Sequence, residues 1–364
     1  MKKIGKFIGI VLTIFTGLFF TVSKGEEKPK VVDSVFRGIV VLPSDIISIG
    51  AIELVKFMLE ANLNLLGIHT NSLGINPMTG GFEDLPSLKT FLESEEGKIL
   101  LKECKKLNIS IEFESHVLKE VLPRELFDEH PEYFRMDENG VRQRNHNMCF
   151  SSEGAYQIIE NNIIEITKWL KPTTHRYLFW TDDVGGAFCN CDLCKKYSES
   201  EQALMYENRL LTILHKIDPS AKLAHLAYNN TLEAPVKVKP SDGIFLEYAP
   251  ISRDYTKPLS EEHLQSLRDN LIIFPAKTAH VLEYWLDASM FSRMIKVGRN
   301  NVAKVPWNIQ NFERDVKLYT GMGIKSITTF ATWMISSDYV KKYGEDNTLK
   351  VVSEYGSILK KYLK

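Results

Sequence analysis

Two adjacent acidic residues, Asp182 and Asp183, directly follow the apolar stretch Tyr177–Thr181. Carboxylates held this close repel each other, which raises the pKa of one of them and suits it to general-acid chemistry. In substrate-assisted glycoside hydrolysis, one acid orients a 2-acetamido group and the other protonates the leaving oxygen. Helix capping or binding of a loop backbone is the structural alternative for one Asp. The pair predicts Asp183 as the general acid and Asp182 as the orienting group.

Further acids, histidines and aromatic residues lie where other apolar segments end. Carboxylates transfer protons and stabilise an oxocarbenium-like charge, and aromatic faces stack on sugar rings. Glu283 is predicted as a further catalytic carboxylate or a contact to substrate hydroxyls, with an ion pair as the structural alternative. The predicted substrate-binding residues are His69, Asn71, His116, Trp180, Tyr228, Glu247, Arg253, Trp285, Asp287 and Trp333. Glu247 and Arg253 could instead pair with each other, and His69 and His116 could be structural.

Four cysteines are spaced for a common site: Cys189, Cys191 and Cys194 form a C-x-C-x2-C motif, and Cys149 lies upstream. Four thiols suit a tetrahedral zinc ion, whereas two disulfides are the alternative that an exported protein permits. We favour structural zinc, tying the loop after one strand to the loop after the next. No His or carboxylate joins the motif at a ligand spacing, so no catalytic cofactor is predicted. Cys104 stands apart and is predicted to be a small buried residue.

The elements that position these residues alternate between apolar, strand-like segments and amphipathic, helix-like segments. The predicted strands are 35–42, 63–70, 109–116, 175–181, 222–228, 243–248, 280–286 and 326–332. The predicted helices are 49–61, 88–107, 155–169, 201–217, 261–270, 312–321 and 340–363. Eight such repeats predict a single-domain α/β fold, a (β/α)8 TIM barrel whose chemistry lies at the carboxyl ends of the strands. A doubly wound open sheet is the alternative, but no glycine-rich phosphate loop follows a strand.

The amino-terminal residues are predicted to be a targeting segment. A basic start precedes the apolar run Phe7–Val22, so residues 1–23 are interpreted as a signal peptide, cut after Ser23, and 24–34 as a polar leader. Residues 35–364 then form the barrel. A retained membrane anchor is the alternative, because the run is near the lower length limit for spanning. The expected location is periplasmic or secreted, with membrane association only if the segment is retained.

The charge balance excludes some partners. The chain has 45 basic and 46 acidic side chains, without the basic surplus typical of a nucleic-acid binder. Nothing in the sequence indicates nucleotide binding. The expected partner is a glycan.

Several motifs together resemble the DUF4838 family. They are His130-Pro131-Glu132-Tyr133-Phe134, Gly140-Val141-Arg142, Met148-Cys149-Phe150-Ser151, and Asp183 followed by the C-x-C-x2-C motif. The resemblance is specific over 116–195 and consistent in order through 247–253 and 283–287. It implies a barrel of the glycoside hydrolase superfamily, in which some members are endo-β-N-acetylglucosaminidases acting on complex N-glycans. Asp183 matches the aspartate before the cysteine motif, whereas Asp182 stands where the family often has Asn.

Three functional hypotheses follow. The first is an exported, hexosaminidase-like glycoside hydrolase that cleaves an N-acetylhexosaminide or another glycan linkage. The second is a non-catalytic glycan-binding barrel. The third is a zinc hydrolase that uses the cysteine cluster. The acidic and aromatic residues at the strand ends favour the first.

Overall fold

Eight parallel strands close into a barrel in the computed structural model, which describes residues 35–70 and 84–364. The strands are β1 (Phe36–Val41), β2 (Leu65–Thr70), β3 (Ser110–His116), β4 (Arg176–Trp180), β5 (Lys222–Ala227), β6 (Ile244–Tyr248), β7 (His280–Glu283) and β8 (Ser326–Phe330). Each pairs with the next in sequence, and β8 pairs with β1, with Phe36 opposite Ser326. The predicted barrel is confirmed, and the alternative of an open sheet is wrong.

Helices surround the barrel and cover its outer face. They are α1 (Pro43–Ile49), α2 (Ala51–Glu60), α3 (Leu85–Glu93), α4 (Glu95–Lys106), α5 (Leu118–Val121), α6 (Glu153–Thr167), α7 (Glu199–Leu214), α8 (Glu261–Ile273), α9 (Ala288–Met294), α10 (Ile309–Gly321), α11 (Ser337–Tyr343) and α12 (Glu345–Tyr362). All seven predicted helices are present, but two of them are each divided into two helices.

Local backbone chemistry explains these divisions. The predicted helix 88–107 is interrupted at Ser94, whose side chain accepts a hydrogen bond from the Gly97 amide and caps α4. The predicted helix 340–363 is interrupted at Gly344, which has a φ of 89°. Helical periodicity continues across both interruptions, so the apolar pattern alone does not reveal them.

A buried cluster of charged residues occupies the barrel interior. Arg176 on β4 lies 3.4 Å from the carboxylate of Glu112 on β3 and donates a hydrogen bond of 3.1 Å to Ser326 on β8. Its guanidinium also lies over the rings of Phe36 on β1 and Phe245 on β6. One side chain can contact residues from four strands in this way only from inside the barrel, so β3 and β4 direct Glu112 and Arg176 inward.

The long segment after β3, predicted as an irregular loop over the active face, contains α5 and two short 3-10 turns at Arg124–Asp128 and Pro131–Tyr133. Hydrogen bonds join it to the loop after β4. Asn190 donates its amide proton to the Met136 carbonyl at 2.8 Å, and Asn147 Nδ2 donates to the Ala187 carbonyl at 2.8 Å. The two loops therefore form one layer beside the carboxyl ends of the strands.

The predicted signal peptide 1–23, the leader 24–34 and Asn71 lie outside the described residues. Within the ranges that the structure covers, none of the helices is long and apolar enough to cross a membrane.

Gly356 on α12 provides a test of the packing between this helix and the chain after α2. A Cβ atom at position 356 would lie 1.6 Å from the Ala61 carbonyl oxygen, which is backbone and has little freedom to move. We expect Gly356→Ala to lower the free energy of unfolding by about 1–3 kcal/mol, as overpacking does. Gly321, at the end of α10, has no atom within 4 Å of its hypothetical Cβ and supplies the control. Chemical denaturation should show Gly321→Ala neutral or stabilising; equal effects of the two substitutions would contradict the packing.

Candidate active site

A cavity of about 130 Å³ opens at the carboxyl ends of the strands, which is where parallel barrels place their chemistry. We call it the mouth cavity. It is lined by Leu42, His69, His116, Trp180, Asp183, Leu226, Tyr228, Ile251, Leu282, Tyr284, Asp287, Ser289, Arg293, Phe330 and Thr332. The structure thus brings together six of the predicted site residues from five strands or the loops that follow them: His69, His116, Trp180, Asp183, Tyr228 and Asp287.

Asp183 is a half-buried carboxylate on the wall of the mouth cavity. The Tyr228 hydroxyl donates a hydrogen bond to its Oδ2 over 3.4 Å. None of the described cations forms an ion pair with Asp183. The carboxyl group is therefore accessible to a molecule in the cavity.

Trp180, His69 and His116 form an aromatic group on one side of the cavity. The Trp180 ring centroid lies 5.8 Å from that of His69 and 5.0 Å from that of His116. The His116 ring donates from Nδ1 to the Thr181 carbonyl at 2.5 Å. Burial, together with nearby His116 and Arg293, lowers the pKa of His69 to about 3. His69 is therefore neutral near pH 7 and offers a polar but uncharged surface.

Asp287 is the second carboxylate on the cavity wall. Its Oδ1 accepts hydrogen bonds from the Met290 amide at 2.9 Å and the Ser289 hydroxyl at 2.6 Å, and the Thr332 hydroxyl also donates to it. It therefore caps α9 and fixes that helix to the end of β8. Among the described residues these hydrogen bonds all reach Oδ1, so Oδ2 is the oxygen that can accept a hydrogen bond from a molecule in the cavity.

The sequence analysis missed nine of the fifteen residues that line the cavity, among them Tyr284, Ser289, Arg293 and Phe330. Tyr284 continues the inward alternation of β7, so recognising that register would have identified it. Arg293 had no such signal, because an arginine on a surface helix is ordinary in any amphipathic pattern.

Asp182 takes a different position from its neighbour. Its Oδ2 accepts a hydrogen bond from the Asn147 amide at 2.6 Å and forms an ion pair with Arg124, while its own amide donates to Asn147 Oδ1 at 2.9 Å. Asp182 borders a small adjoining cavity of about 30 Å³ and not the mouth cavity. The structure therefore joins Asp182 to the loop after β3. We call this contact between Asp182, Asn147 and Arg124 the loop clamp.

Glu283, Arg253 and Trp285 do not line the mouth cavity, so the structure places these three predicted site residues elsewhere. Leu282 and Tyr284 point inward, and by strand alternation Glu283 and Trp285 point outward. Arg253 donates to Glu283 at 2.7 Å and to Asp315 on α10 at 2.6 Å, and Tyr319 donates to Glu283 at 2.5 Å.

This outward group is a buried network between the barrel and the helices. Burial raises the pKa of Glu283 to about 7, although Arg253 acts in the opposite direction. Trp285 packs edge-on against Phe312 of α10 at 4.7 Å. Arg253 therefore pairs with Glu283, and the expected alternative of pairing with Glu247 is also wrong.

Glu247 and Trp333 are two more predicted substrate-binding residues that the structure places outside the mouth cavity. Glu247 is fully buried in the barrel interior, where it accepts a hydrogen bond from Trp180 Nε1 at 2.7 Å. It therefore supports the Trp180 ring from below and does not line the cavity. Trp333 is also buried; its backbone has a φ of 61°, and its amide donates to Asp45 at 3.2 Å. Trp333 therefore does not line the mouth cavity, although its neighbour Thr332 does.

The four predicted metal ligands form one buried cluster. The Sγ atoms of Cys149, Cys189, Cys191 and Cys194 all lie within 4.8 Å of one another, and those of Cys149 and Cys191 are 3.7 Å apart. A tetrahedron of thiolates around zinc, with Zn–S bonds of about 2.3 Å, has edges of about 3.8 Å. The cluster can therefore hold a metal ion. Cys104 is buried on α4, as predicted.

Comparison with solved structures defines the class of fold. A GH42 β-galactosidase from G. stearothermophilus, solved as a catalytic mutant, aligns with a TM-score of 0.53 and 12% identity over 91% of this chain and 57% of its own. The β-galactosidase from the psychrophilic Marinomonas ef1 aligns with a TM-score of 0.52 and 12% identity over 88% of this chain and 58% of its own. At this identity the similarity establishes the (β/α)8 barrel fold alone, and the chain spans less than two thirds of each enzyme's length.

The sequence itself identifies the family. The profile described as "Domain of unknown function (DUF4838)" matches residues 94–343, more than half of the chain. The chain therefore belongs to the DUF4838 family, which confirms the resemblance. No curated protein sequence matches the chain.

The buried carboxyl group of Glu247 predicts a dependence of stability on pH. Burial raises its pKa to about 8, from an ordinary value of 4.5. The stability it contributes is complete below about pH 4.5 and is lost as the pH rises through about 8. Glu247→Gln keeps an acceptor for Trp180 without a charge. Between about pH 4.5 and 8, we expect the free energy of unfolding of the variant to rise relative to that of the parent by up to about 1.4 kcal/mol per pH unit.

Denaturant unfolding of parent and variant at pH 5 and pH 9 measures this gain. Glu165→Gln, a change at an exposed glutamate on α6, is the matched control. A stability difference between Glu247→Gln and the parent that stays constant with pH would contradict the assignment.

Proposed function

We propose that this protein is an exported glycoside hydrolase that holds a sugar unit in the mouth cavity and uses Asp183 as the general acid. The observation that carries the proposal is the position of Asp183. Its carboxyl group has no cationic partner among the described residues and lines a cavity together with Trp180, Tyr228 and Tyr284. A proton donor beside aromatic rings is what protonation of a glycosidic oxygen over a stacked sugar requires.

Asp287 is the second carboxylate we propose for the reaction. Of the described residues that line the mouth cavity, Asp183 and Asp287 are the two acids. They come from the ends of β4 and β7, so they approach the cavity from opposite sides of the barrel. Because Oδ1 of Asp287 is held by three donors, its Oδ2 has a fixed direction. A fixed carboxylate can polarise a 2-acetamido group, stabilise an oxocarbenium-like charge or activate water.

For Asp182 we propose positioning of Asp183. A role in orienting an acetamido group would require the Asp182 carboxylate to reach the sugar, whereas Arg124 and the Asn147 amide bind it. The loop clamp fixes the backbone next to Asp183 and so sets the direction of the acid. An N-acetylhexosaminide remains the substrate class we propose, with Asp287 as the group that faces the acetamido substituent.

Asp183→Asn tests the proposed general acid. The amide cannot donate the carboxyl proton, so we expect kcat/KM to fall about 10²–10⁴-fold on N-glycans and alkyl glycosides. Aryl glycosides with acidic leaving groups need less protonation and should lose much less activity. Asp269→Asn, at an exposed acid on α8, is the matched control and should change neither rate.

Released sugar measured by mass spectrometry decides between the hypotheses. Full activity of Asp183→Asn on an alkyl glycoside that the parent cleaves would refute the assignment. Saturable glycan binding by the parent, without any cleaved product, would support the non-catalytic glycan-binding barrel instead.

We also propose that the cysteine cluster holds a structural zinc ion. Its four thiols are buried, suit a tetrahedral shell and would fill it, leaving no open position for a substrate. Cys149 lies two residues from Asn147 of the loop clamp, and Cys189 lies two residues from Ala187, which accepts from Asn147. The ion would therefore hold together the two loops that the clamp joins. This arrangement favours a structural role over a zinc hydrolase.

Thiol counting separates zinc from disulfides. A zinc protein denatured with chelator, without reductant, should expose all five thiols, whereas a protein with two disulfides should expose one, Cys104. Elemental analysis should find about one zinc per chain, and chelation or Cys191→Ser should lower the melting temperature. One exposed thiol without bound metal would refute the zinc proposal. Loss of activity on chelation without any loss of stability would favour the zinc hydrolase.

Export is proposed on the interpretation of residues 1–23 as a signal peptide. Expression in a bacterial host followed by fractionation should recover a chain that begins at Lys24. A chain that retains its amino terminus and sediments with membranes would instead support the anchor.

A further inference from the structure

Arg293 is a cation of the mouth cavity that forms no ion pair with the acids of the described residues. It lies on α9, its side chain is exposed, and it lines the cavity. Within the described residues its side chain makes a weak hydrogen bond, from Nη1 to the Ser289 hydroxyl at 3.5 Å. Within the part of the chain that the structure describes, the arginines near the barrel mouth at positions 124, 253 and 299 each form an ion pair with an acid, and Arg293 does not.

The charge of Arg293 acts across the cavity. It contributes, after burial and His116, to the lowered pKa of His69 on β2. It also opposes the rise in the pKa of Tyr228, which burial and Asp183 cause at the end of β5. Arg293 lines the same cavity as His69 on β2 and Tyr228 after β5, which lie on different sides of the barrel, so its charge acts on both walls of the mouth.

The base of Arg293 is held in place. Asp287 caps α9 through the Met290 amide and accepts from Ser289, the residue that the guanidinium contacts. The same Asp287 oxygen is bound by Thr332 after β8. The helix that carries Arg293 is therefore joined to two barrel strands, which limits how far its backbone can move.

These contacts leave the guanidinium of Arg293 without a negatively charged partner among the described residues of the cavity. Asp287 Oδ1 is already shared by three donors, and His69 is neutral. The planar guanidinium presents several N–H donors in a geometry that matches the oxygens of a carboxylate or sulfate. We propose that the sugar unit taken by the mouth cavity carries an anionic substituent, a carboxylate or a sulfate ester, and that Arg293 binds it. This inference rests on the proposed function only in placing a sugar in the cavity.

Calorimetric titration of matched sugar pairs into the full chain tests the proposal. The chain carries Asp183→Asn so that no probe is consumed. The probes are methyl glucuronide against methyl glucoside, and N-acetylglucosamine 6-sulfate against N-acetylglucosamine. We expect the anionic member of at least one pair to bind about tenfold or more tightly, as charge-assisted hydrogen bonds provide. The pair that shows the preference identifies carboxylate or sulfate as the group recognised.

Variants at position 293 assign the preference to its side chain. Arg293→Gln should bring the anionic sugar to the affinity of its neutral partner without changing that partner's affinity. Arg293→Lys should keep part of the preference, because it retains the charge but not the fork of donors. Lys296→Gln removes an exposed cation just beyond α9 that does not line the cavity, and should keep the full preference.

Three outcomes would overturn the proposal: equal binding of both members in both pairs, equal loss of anionic and neutral binding in Arg293→Gln, or no binding of any probe. These outcomes are distinguishable from failure of the proposed function. Cleavage of neutral glycans by the parent, without a preference for anionic sugars, would support the proposed hydrolase and refute this inference. Binding of an anionic sugar that depends on Arg293, without cleavage of any glycan, would support this inference and refute the proposed hydrolase.

Discussion

Successive side chains of a β-strand point to opposite faces, so each barrel strand sends alternate residues into the interior and the others toward the helices. On β7 this constraint places His280 and Leu282 inside and Glu283 outside, and the alternation continues past the strand with Tyr284 inside and Trp285 outside. Polar residues one position apart in the sequence therefore lie in different surroundings and bind different partners. Glu283 joins Arg253 in an ion-pair network behind the sheet, whereas Tyr284 lies on the cavity wall.

The same constraint brings charged groups into the barrel interior, where water is scarce. Glu112 is paired with Arg176, and His280 binds Ser326 and Thr328 through its two ring nitrogens. Burial and the neighbouring Glu247 raise the pKa of Glu114 well above its ordinary value, so that group is held in its neutral form. A cluster of buried ionisable groups is weak evidence for stability, because hydrophobic residues of similar volume often give an equal or higher free energy of unfolding. Its clearest local consequence is the hydrogen bond from Trp180 to Glu247, which fixes a ring of the cavity.

The fold and part of the site could be predicted from the sequence for physical reasons. Buried parallel strands leave continuous apolar segments, and all eight were located within a few residues. Residues that end strands in the inward register, such as His116 and Trp180, were placed in the site because strand ends converge. Glu283 and Trp285 were expected in the cavity because β7 has a polar and an apolar residue on each face, which gives no signal of register. Arg293 was missed because its position depends on how α9 is capped by Asp287, which is a tertiary contact.

Adjacency in sequence does not make Asp182 and Asp183 a chemical pair. The carboxylate of Asp182 is occupied by Arg124 and the Asn147 amide, and Asn147 in turn binds the loop that leads to the cysteine cluster. Asp183, one residue later, has a tyrosine hydroxyl at 3.4 Å as its neighbour. The two neighbouring carboxylates therefore have different partners and lie in different surroundings. The repulsion that sequence reasoning assigned to the two carboxylates is therefore weakened by Arg124, and the environment of Asp183 is determined instead by Tyr228 and by what enters the cavity.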